Sequence, residues 1–227
     1  MEERLRQAAH TNLTFNAPLS EERAAALVRT LPLAPGGHVL DLCCGWAELL
    51  LRVVEAHHAS TGTGVDSDRL QLARAADALV RRRLHARVEL VTADAATFAD
   101  RGDVAICVGG AHAFGGTVGA LTALADRLER GGTLLFGDGF WEREPGAAAR
   151  ELFGDLFDWP GLLAASHAAG YVIDAADRST LEEWDAFERA WVTSDEPLRA
   201  ASEQRAEEYR TVYRGVLGFA WLVLRRT

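Results

Sequence analysis

Short apolar runs alternate along the chain with longer stretches in which apolar residues recur every three or four positions. The runs are HVLDLCC (38–44), TGTGVD (61–66), ARVELVTAD (86–94), DVAICVGG (103–110) and GGTLLFGDG (131–139). The first and fourth are apolar almost throughout, as strands are when helices cover both faces of a sheet. Between the runs, Trp46–His58, Asp68–Leu84 and Thr117–Glu129 read as helices. Asp68 is placed to cap the second, and Gly131 with Gly132 to end the third. This alternation predicts an α/β, Rossmann-like, doubly wound and mostly parallel sheet with helices on both faces.

Upstream, Ser20 is placed to cap a helix beginning EERAAALV, with Glu21 and Glu22 in its first turn. Downstream the rhythm changes. GFWEREPG (139–146) reads as a loop, WPGLLAASHAAG (159–170) as a helix and YVIDAAD (171–177) as a strand. A charged helical stretch from Leu181 to about Tyr213 precedes a last strand, GVLGFAWLVLRR (215–226), which brings the sheet to seven strands. With no repeat, low-complexity tract or linker, residues 1–227 are expected to form one domain. Residues 1–34 would be an N-terminal helical cap on it, and 179–214 a helical insertion before the last strand.

Composition narrows the chemistry. A chain of 227 residues is long enough for a full core. A formal net charge of −9 argues against a nucleic-acid surface, which needs a basic excess to displace counterions. The basic run at Arg81 to Arg83 sits near a helix end, where cations favour the dipole. All 24 basic residues are arginines, so Schiff-base, phosphate-loop lysine and Ser–Lys chemistry are excluded together. The opening MEERLRQAAH lacks the apolar core of a secretory peptide, and no apolar run approaches the ~18 residues of a membrane span. Three cysteines, an odd number, then point to a reduced, cytoplasmic protein with no membrane partner. Oligomeric state is not legible.

The candidate chemistry gathers at VLDLCCGWAELL (39–50). A metal fits it poorly: Cys43 and Cys44 are adjacent, as are His57 and His58, whereas zinc pairs need spacing that turns both ligands to one ion. No metal is expected. A nucleotide fits better. Gly45 and Ala47 leave room for a ligand at the end of the first strand, and the next helix offers its positive N-terminus. Asp66 ends the second strand, where an acceptor-only carboxylate can take both hydroxyl protons of a ribose. Dinucleotide enzymes, however, carry G-x-G-x-x-G at this turn. Here Asp41 lies in the strand end and the pattern is D-x-[small]-x-G-x-[small].

That pattern resembles the first motif of class I S-adenosylmethionine-dependent methyltransferases. GVDSDRL (64–70) is similar to the family's second-strand acidic motif and VTADAATF (91–98) to its adenine-contacting motif. DVAICVGGAHAFGG resembles the fourth strand, and LERGGTLLFGD (128–138) the segment entering the fifth, with Arg130 in place of a proline. The likeness runs from about Pro35 to Asp138 and is closest to small bacterial enzymes acting on small molecules. It implies S-adenosyl-L-methionine as cofactor. Asp41, Cys43 and Gly45 would lie at the methionyl end, Asp66 at the ribose, Ser67 beside the adenine, Asp94 on its amino group and the Ala95 N–H on a ring nitrogen. Gly109 opens the stretch where methyl group and acceptor meet. Cys43 and Ala47 stand where the family has glycines, and each adds a Cβ to the loop.

His112 is the candidate base or pocket-lining residue; Phe114, Trp141 and Trp184 suggest a compact, apolar or heteroaromatic acceptor. Asp66 could instead merely cap the following helix, Asp94 serve as a turn residue, Asp138 organise its Gly-flanked loop, and Trp184 belong to a packed amphipathic helix. A nicotinamide-dependent oxidoreductase on a degenerate turn, or a non-catalytic S-adenosylmethionine-binding protein, are the alternative readings.

Overall fold

A computed structural model describes residue 8 and residues 10–227 except Ser194 and Pro197. The first seven residues of the expected N-terminal cap therefore lie outside the described residues. Seven strands form one sheet in the order β3-β2-β1-β4-β5-β7-β6. They are β1 (His38–Leu42), β2 (Thr61–Asp66), β3 (Val88–Thr92), β4 (Gly102–Val108), β5 (Leu128–Trp141), β6 (Tyr171–Arg178) and β7 (Leu217–Arg226). The pairs β1–β2, β1–β4, β2–β3 and β4–β5 are parallel. β7 runs the other way. Ser179 N–H donates to Phe219 O at 2.9 Å and Thr227 N–H to Gly170 O at 3.0 Å, so numbers rise along β6 as they fall along β7. The expected doubly wound, mostly parallel sheet is the fold of this chain.

Helices α1 (Glu21–Thr30), α2 (Glu48–Ala56) and α3 (Arg69–Arg81) precede β1, β2 and β3 in turn, and α4 (Thr117–Ala125) joins β4 to β5. In β1, Leu40 and Leu42 are fully buried, as are Val39 and the neighbouring Val104 and Ala105 of β4. α2 is buried on more than one side: Leu50, Leu51, Val53 and Val54 have no exposed surface. At roughly 1.5–3 kcal/mol for each fully buried aliphatic side chain, this one helix contributes several kilocalories to the core. The glycines of TGTGVD explain its close approach. A Cβ on Gly62 would lie 2.7 Å from Leu50 Cδ1, nearer than carbon atoms can pack. Asp68 caps α3 as expected, its carboxylate accepting the Leu70 and Gln71 N–H groups.

Three elements differ from the sequence reading. α4 stops at Ala125, and Gly131–Gly132 sit inside β5 rather than after a helix. The register slips there: Gly102 pairs with Leu128, but Val104 pairs with Thr133. Gly131 takes φ +80°, a left-handed conformation that glycine adopts without strain, and the extra residues bulge out. β5 then continues through Trp141, so Phe140 and Trp141 are strand residues and not loop residues. A Cβ on Gly218 would come within 2.4 Å of the Phe140 ring, so β7 needs glycine beside that strand. Finally, the charged stretch divides into two helices, α7 (Leu181–Arg189) and α8 (Arg199–Glu208), and a π-helical turn, Tyr209–Tyr213. α5 (Ala147–Phe153) and α6 (Trp159–Ala168) precede them.

The chain falls into two compact units. A sheet unit comprises Glu21–Asp138, Leu163–Asp177 and Trp221–Thr227. A helical unit takes the described residues up to Ser20, Gly139–Leu162 and Arg178–Ala220. Within it, Ser20 donates from both N–H and Oγ–H to Glu183 Oε1, at 3.1 and 2.6 Å. Glu183 also completes a capping box with Thr180 at the start of α7.

Candidate cofactor site

The turn between β1 and α2 is wound through three left-handed residues at alternate positions. Cys43 has φ +64°, Gly45 φ +54° and Ala47 φ +56°. Only glycine enters this region freely; for other L-residues it costs about 1–2 kcal/mol. The Cβ atoms of Cys43 and Ala47 thus leave the glycine-type backbone in place and store strain in it. Strain of this kind persists where surrounding structure over-determines it. Here Cys44 N–H donates to Val65 O at 3.0 Å and Ala47 N–H to Cys44 O at 2.8 Å. Ala47 also starts α2 without a side-chain cap, and a Cβ on Gly45 would meet no atom within 4 Å. The turn therefore offers open space and helix N–H groups together, the features an anionic or polar ligand needs.

Asp66 is the strut of this site. Its Oδ2 accepts the Gly45 N–H at 2.7 Å and its Oδ1 the Asp68 N–H at 2.8 Å. One carboxylate joins the turn after β1 to the turn after β2. Each oxygen has two acceptor directions, so one on each remains for a ligand hydroxyl. Capping of α3 falls to Asp68 instead.

Asp41 is 4% exposed. Burial first, and the nearby Asp66 charge second, push its carboxyl up to about 8 from an ordinary 3.8. Both causes act in the same direction, so Asp41 holds its proton at neutral pH. Two of the thiols around it, Cys44 and Cys107, are held in the protonated form. Burial, followed by the Asp41 charge, holds Cys44 well above the usual thiol range. A hydrogen bond with Cys43 and then burial do the same for Cys107. A Cβ on Gly110 would sit 2.6 Å from Cys43 Cβ and 3.0 Å from Cys107 Sγ, so these thiols pack under glycine backbone as small apolar groups.

Asp94 makes a turn: its Oδ1 accepts the Ala96 N–H at 2.9 Å, while its carbonyl accepts from Thr97 and Phe98. Its Oδ2 is the oxygen left to face a ligand. Ala95 is buried and Ser67 exposed beside the same strand ends. After β4, Gly109 takes φ +67° and donates to Gly137 O at 2.8 Å, tying this loop to β5. His112 and Phe114 lie on a 3-10 turn, Ala111–Phe114. His112 is exposed, and its Nδ1 lies 3.2 Å from Gly109 O. A carbonyl only accepts, so Nδ1 carries the hydrogen and Nε2 of the neutral ring is the free acceptor. Thr117 Oγ1 donates to Asp138 Oδ2 at 2.7 Å, so Asp138 organises the start of α4. Neither Thr117 nor Gly110 was flagged by the sequence. The threonine two residues into "GGT" was the available signal.

The sheet unit thus holds Asp41, Cys43, Gly45, Asp66, Ser67, Asp94, Ala95, Gly109, His112 and Phe114, at the carboxyl ends of β1 to β4. Trp141 and Trp184 are in the helical unit, both buried. There Trp141 meets Phe153, Phe153 meets Tyr213, and Tyr213 meets Trp184, all edge to face. Among the described residues no group of three or more His, Cys, Asp and Glu could hold a metal ion. Nor is any described helix long and apolar enough to cross a membrane.

Comparison with known proteins agrees with this geometry. Residues 39–132 match the model of the methyltransferase domain family. An uncharacterised Escherichia coli protein, YjhP, is 34% identical over 205 residues, covering 84% of this chain and 82% of its own. A methyltransferase of Thiobacillus denitrificans, solved with S-adenosyl-L-homocysteine, superposes with a TM-score of 0.87 at 28% identity, over 99% of this chain and 98% of that one. Its Geobacter sulfurreducens counterpart, also with S-adenosyl-L-homocysteine, gives 0.87 at 26% identity, over the same 99% and 98%. The chain belongs to the class I S-adenosylmethionine-dependent methyltransferases. It is an enzyme whose cofactor is S-adenosyl-L-methionine, and the nicotinamide and non-catalytic alternatives fall away.

Proposed function

We propose that the chain methylates a small, apolar or heteroaromatic molecule. The observation that carries this is the aromatic chain from Trp141 through Phe153 and Tyr213 to Trp184, a set of uncharged rings suited to a compact planar acceptor. The net charge of −9 disfavours a nucleic-acid acceptor. Residues 1–227 are taken as a single methyltransferase domain whose 179–214 insertion serves the acceptor. Three free thiols among the described residues agree with a cytoplasmic setting.

When bound, S-adenosylmethionine supplies an electrophilic methyl group, which passes to a nucleophile by in-line displacement and leaves a neutral thioether. The residues of this chain bind and align. Asp66 offers two acceptor directions to the ribose, Asp94 Oδ2 and the Ala95 N–H meet the adenine, and the open face of Gly45 receives the methionyl end. Asp41 is buried at the end of β1 before that turn, where its carboxylate form would complement a cationic ligand. Alignment of reacting atoms carries most of the rate, through effective molarity. His112 orients the acceptor, and its Nε2 is the one group in GGAHAFGG that can take a proton when the nucleophile must lose one. Incubation with methyl-tritiated S-adenosylmethionine and a fractionated cell extract tests the reading. Label is expected in the low-molecular-weight, solvent-extractable fraction; label confined to protein or nucleic acid would overturn it.

A further inference from the structure

Two buried polar side chains of the helical unit show how such groups are partnered here. Glu188 is held by Arg205 through two contacts of 2.8 Å. Tyr209 OH donates to Asp185 at 2.7 Å. Three indoles depart from this pattern, Trp141, Trp184 and the less buried Trp191. Trp141 and Trp184 are 5% and 7% exposed, and neither Nε1–H has a hydrogen-bond partner among the described residues. A buried donor left without an acceptor costs about 1–3 kcal/mol, and native folds keep few of them. The two indoles stand at the ends of one chain of rings. Centroid separations are 6.2 Å from Trp141 to Phe153, 4.9 Å to Tyr213 and 6.4 Å on to Trp184. Tyr213 closes the π-helical turn Tyr209–Tyr213, and π-helical turns are rare and concentrate at functional sites. An indole N–H aimed at a ring face recovers only part of a hydrogen bond, so edge-to-face packing does not account for both.

We infer that the Trp141 and Trp184 N–H groups bind the acceptor substrate, and that this substrate is a planar, uncharged aromatic molecule bearing a carbonyl or ring-nitrogen acceptor. Neutral donors in a ring-lined surround favour a neutral acceptor, because Arg205, the cation beside Tyr213's partner Glu188, is already committed to that carboxylate. This deepens the small-molecule reading above and rests on it.

The test uses the full chain labelled with nitrogen-15, whose six tryptophans each give one indole N–H signal. Trp141→Phe and Trp184→Phe assign two of them while keeping an aromatic ring in place. Coumarin, a planar neutral lactone, is expected to move both signals downfield; naphthalene, with the same shape and no acceptor, is expected not to. Each variant should bind coumarin at least about 5-fold more weakly, the loss of one hydrogen bond of about 1 kcal/mol. S-adenosylhomocysteine affinity should be unchanged in both variants, which also shows that they are folded. Two unresponsive indole signals at millimolar coumarin, or naphthalene binding as tightly as coumarin, would overturn the inference. Failure of the wild-type chain to bind S-adenosylhomocysteine would instead strike the cofactor reading.

Discussion

Replacing Asp41 with asparagine removes one titration from the folded state while nearly preserving shape. In the folded chain the Asp41 carboxyl is raised from 3.8 to about 8, by burial and by Asp66. A raised folded value means that the native state binds the proton more tightly than the unfolded chain does. The stability this gives is fully present below about pH 4 and is lost as pH rises to about 8. At 1.36 kcal/mol per pH unit, about 2 kcal/mol is lost by pH 5 and about 6 kcal/mol by pH 9, a difference of about 4 kcal/mol. The variant has no such proton to lose. Any fixed penalty for the buried amide is the same at both pH values and cancels. The assay is thermal unfolding of both proteins without cofactor, at about pH 5 and about pH 9. For a chain of this size about 2–4 °C accompanies each kcal/mol, so the asparagine variant should gain about 8–16 °C on wild type between the two conditions. The same difference between the proteins at both pH values would mean that Asp41 is ionised throughout, and the reasoning from burial would fail.

Two substitutions probe the cofactor turn and the acceptor loop. Gly45→Ala should cost about 1–2 kcal/mol of stability through its left-handed φ, a small fall in melting temperature. Its new methyl group enters the open face of the turn, so S-adenosylhomocysteine affinity should fall by more than about tenfold, about 1.4 kcal/mol; unchanged affinity in calorimetry would place the cofactor elsewhere. His112→Ala should raise KM for the acceptor with kcat little changed, as expected of an orienting residue. A fall in kcat of about 10²–10⁴-fold with KM unchanged would make it an obligatory base instead.

The sheet was legible because its central strands β1 and β4 are apolar on both faces and its punctuation is chemical. Asp68 was readable as a cap, and the run ending in Asp41 and small residues as a strand entering a tight turn. The start of β5 is not legible, because Gly131 and Gly132 look the same in sequence whether they end a helix or form a bulge. The partner strand β4, which decides between them, lies about twenty residues upstream. The charged stretch after Thr180 carries no local signal for the division between α7 and α8. At the site, the residue types were readable and their partners were not. Asp66 bridges Gly45, twenty-one residues away, and Asp68, two away, and only the folded sheet brings all three together. The raised carboxyl of Asp41 and the unpaired indoles of Trp141 and Trp184 are consequences of burial, which no spacing reveals.

Calorimetric titration of S-adenosylhomocysteine into wild type and Asp66→Ala bears most directly on the assignment of the cofactor to this turn. The wild-type chain should bind S-adenosylhomocysteine and not NAD. The variant should lose about 1–3 kcal/mol, roughly 5- to 150-fold in affinity, because the ribose hydroxyls and the Gly45 N–H lose their shared charged acceptor. Equal affinity in the two proteins, with the variant folded by thermal melting, or NAD binding more tightly than S-adenosylhomocysteine, would contradict the assignment.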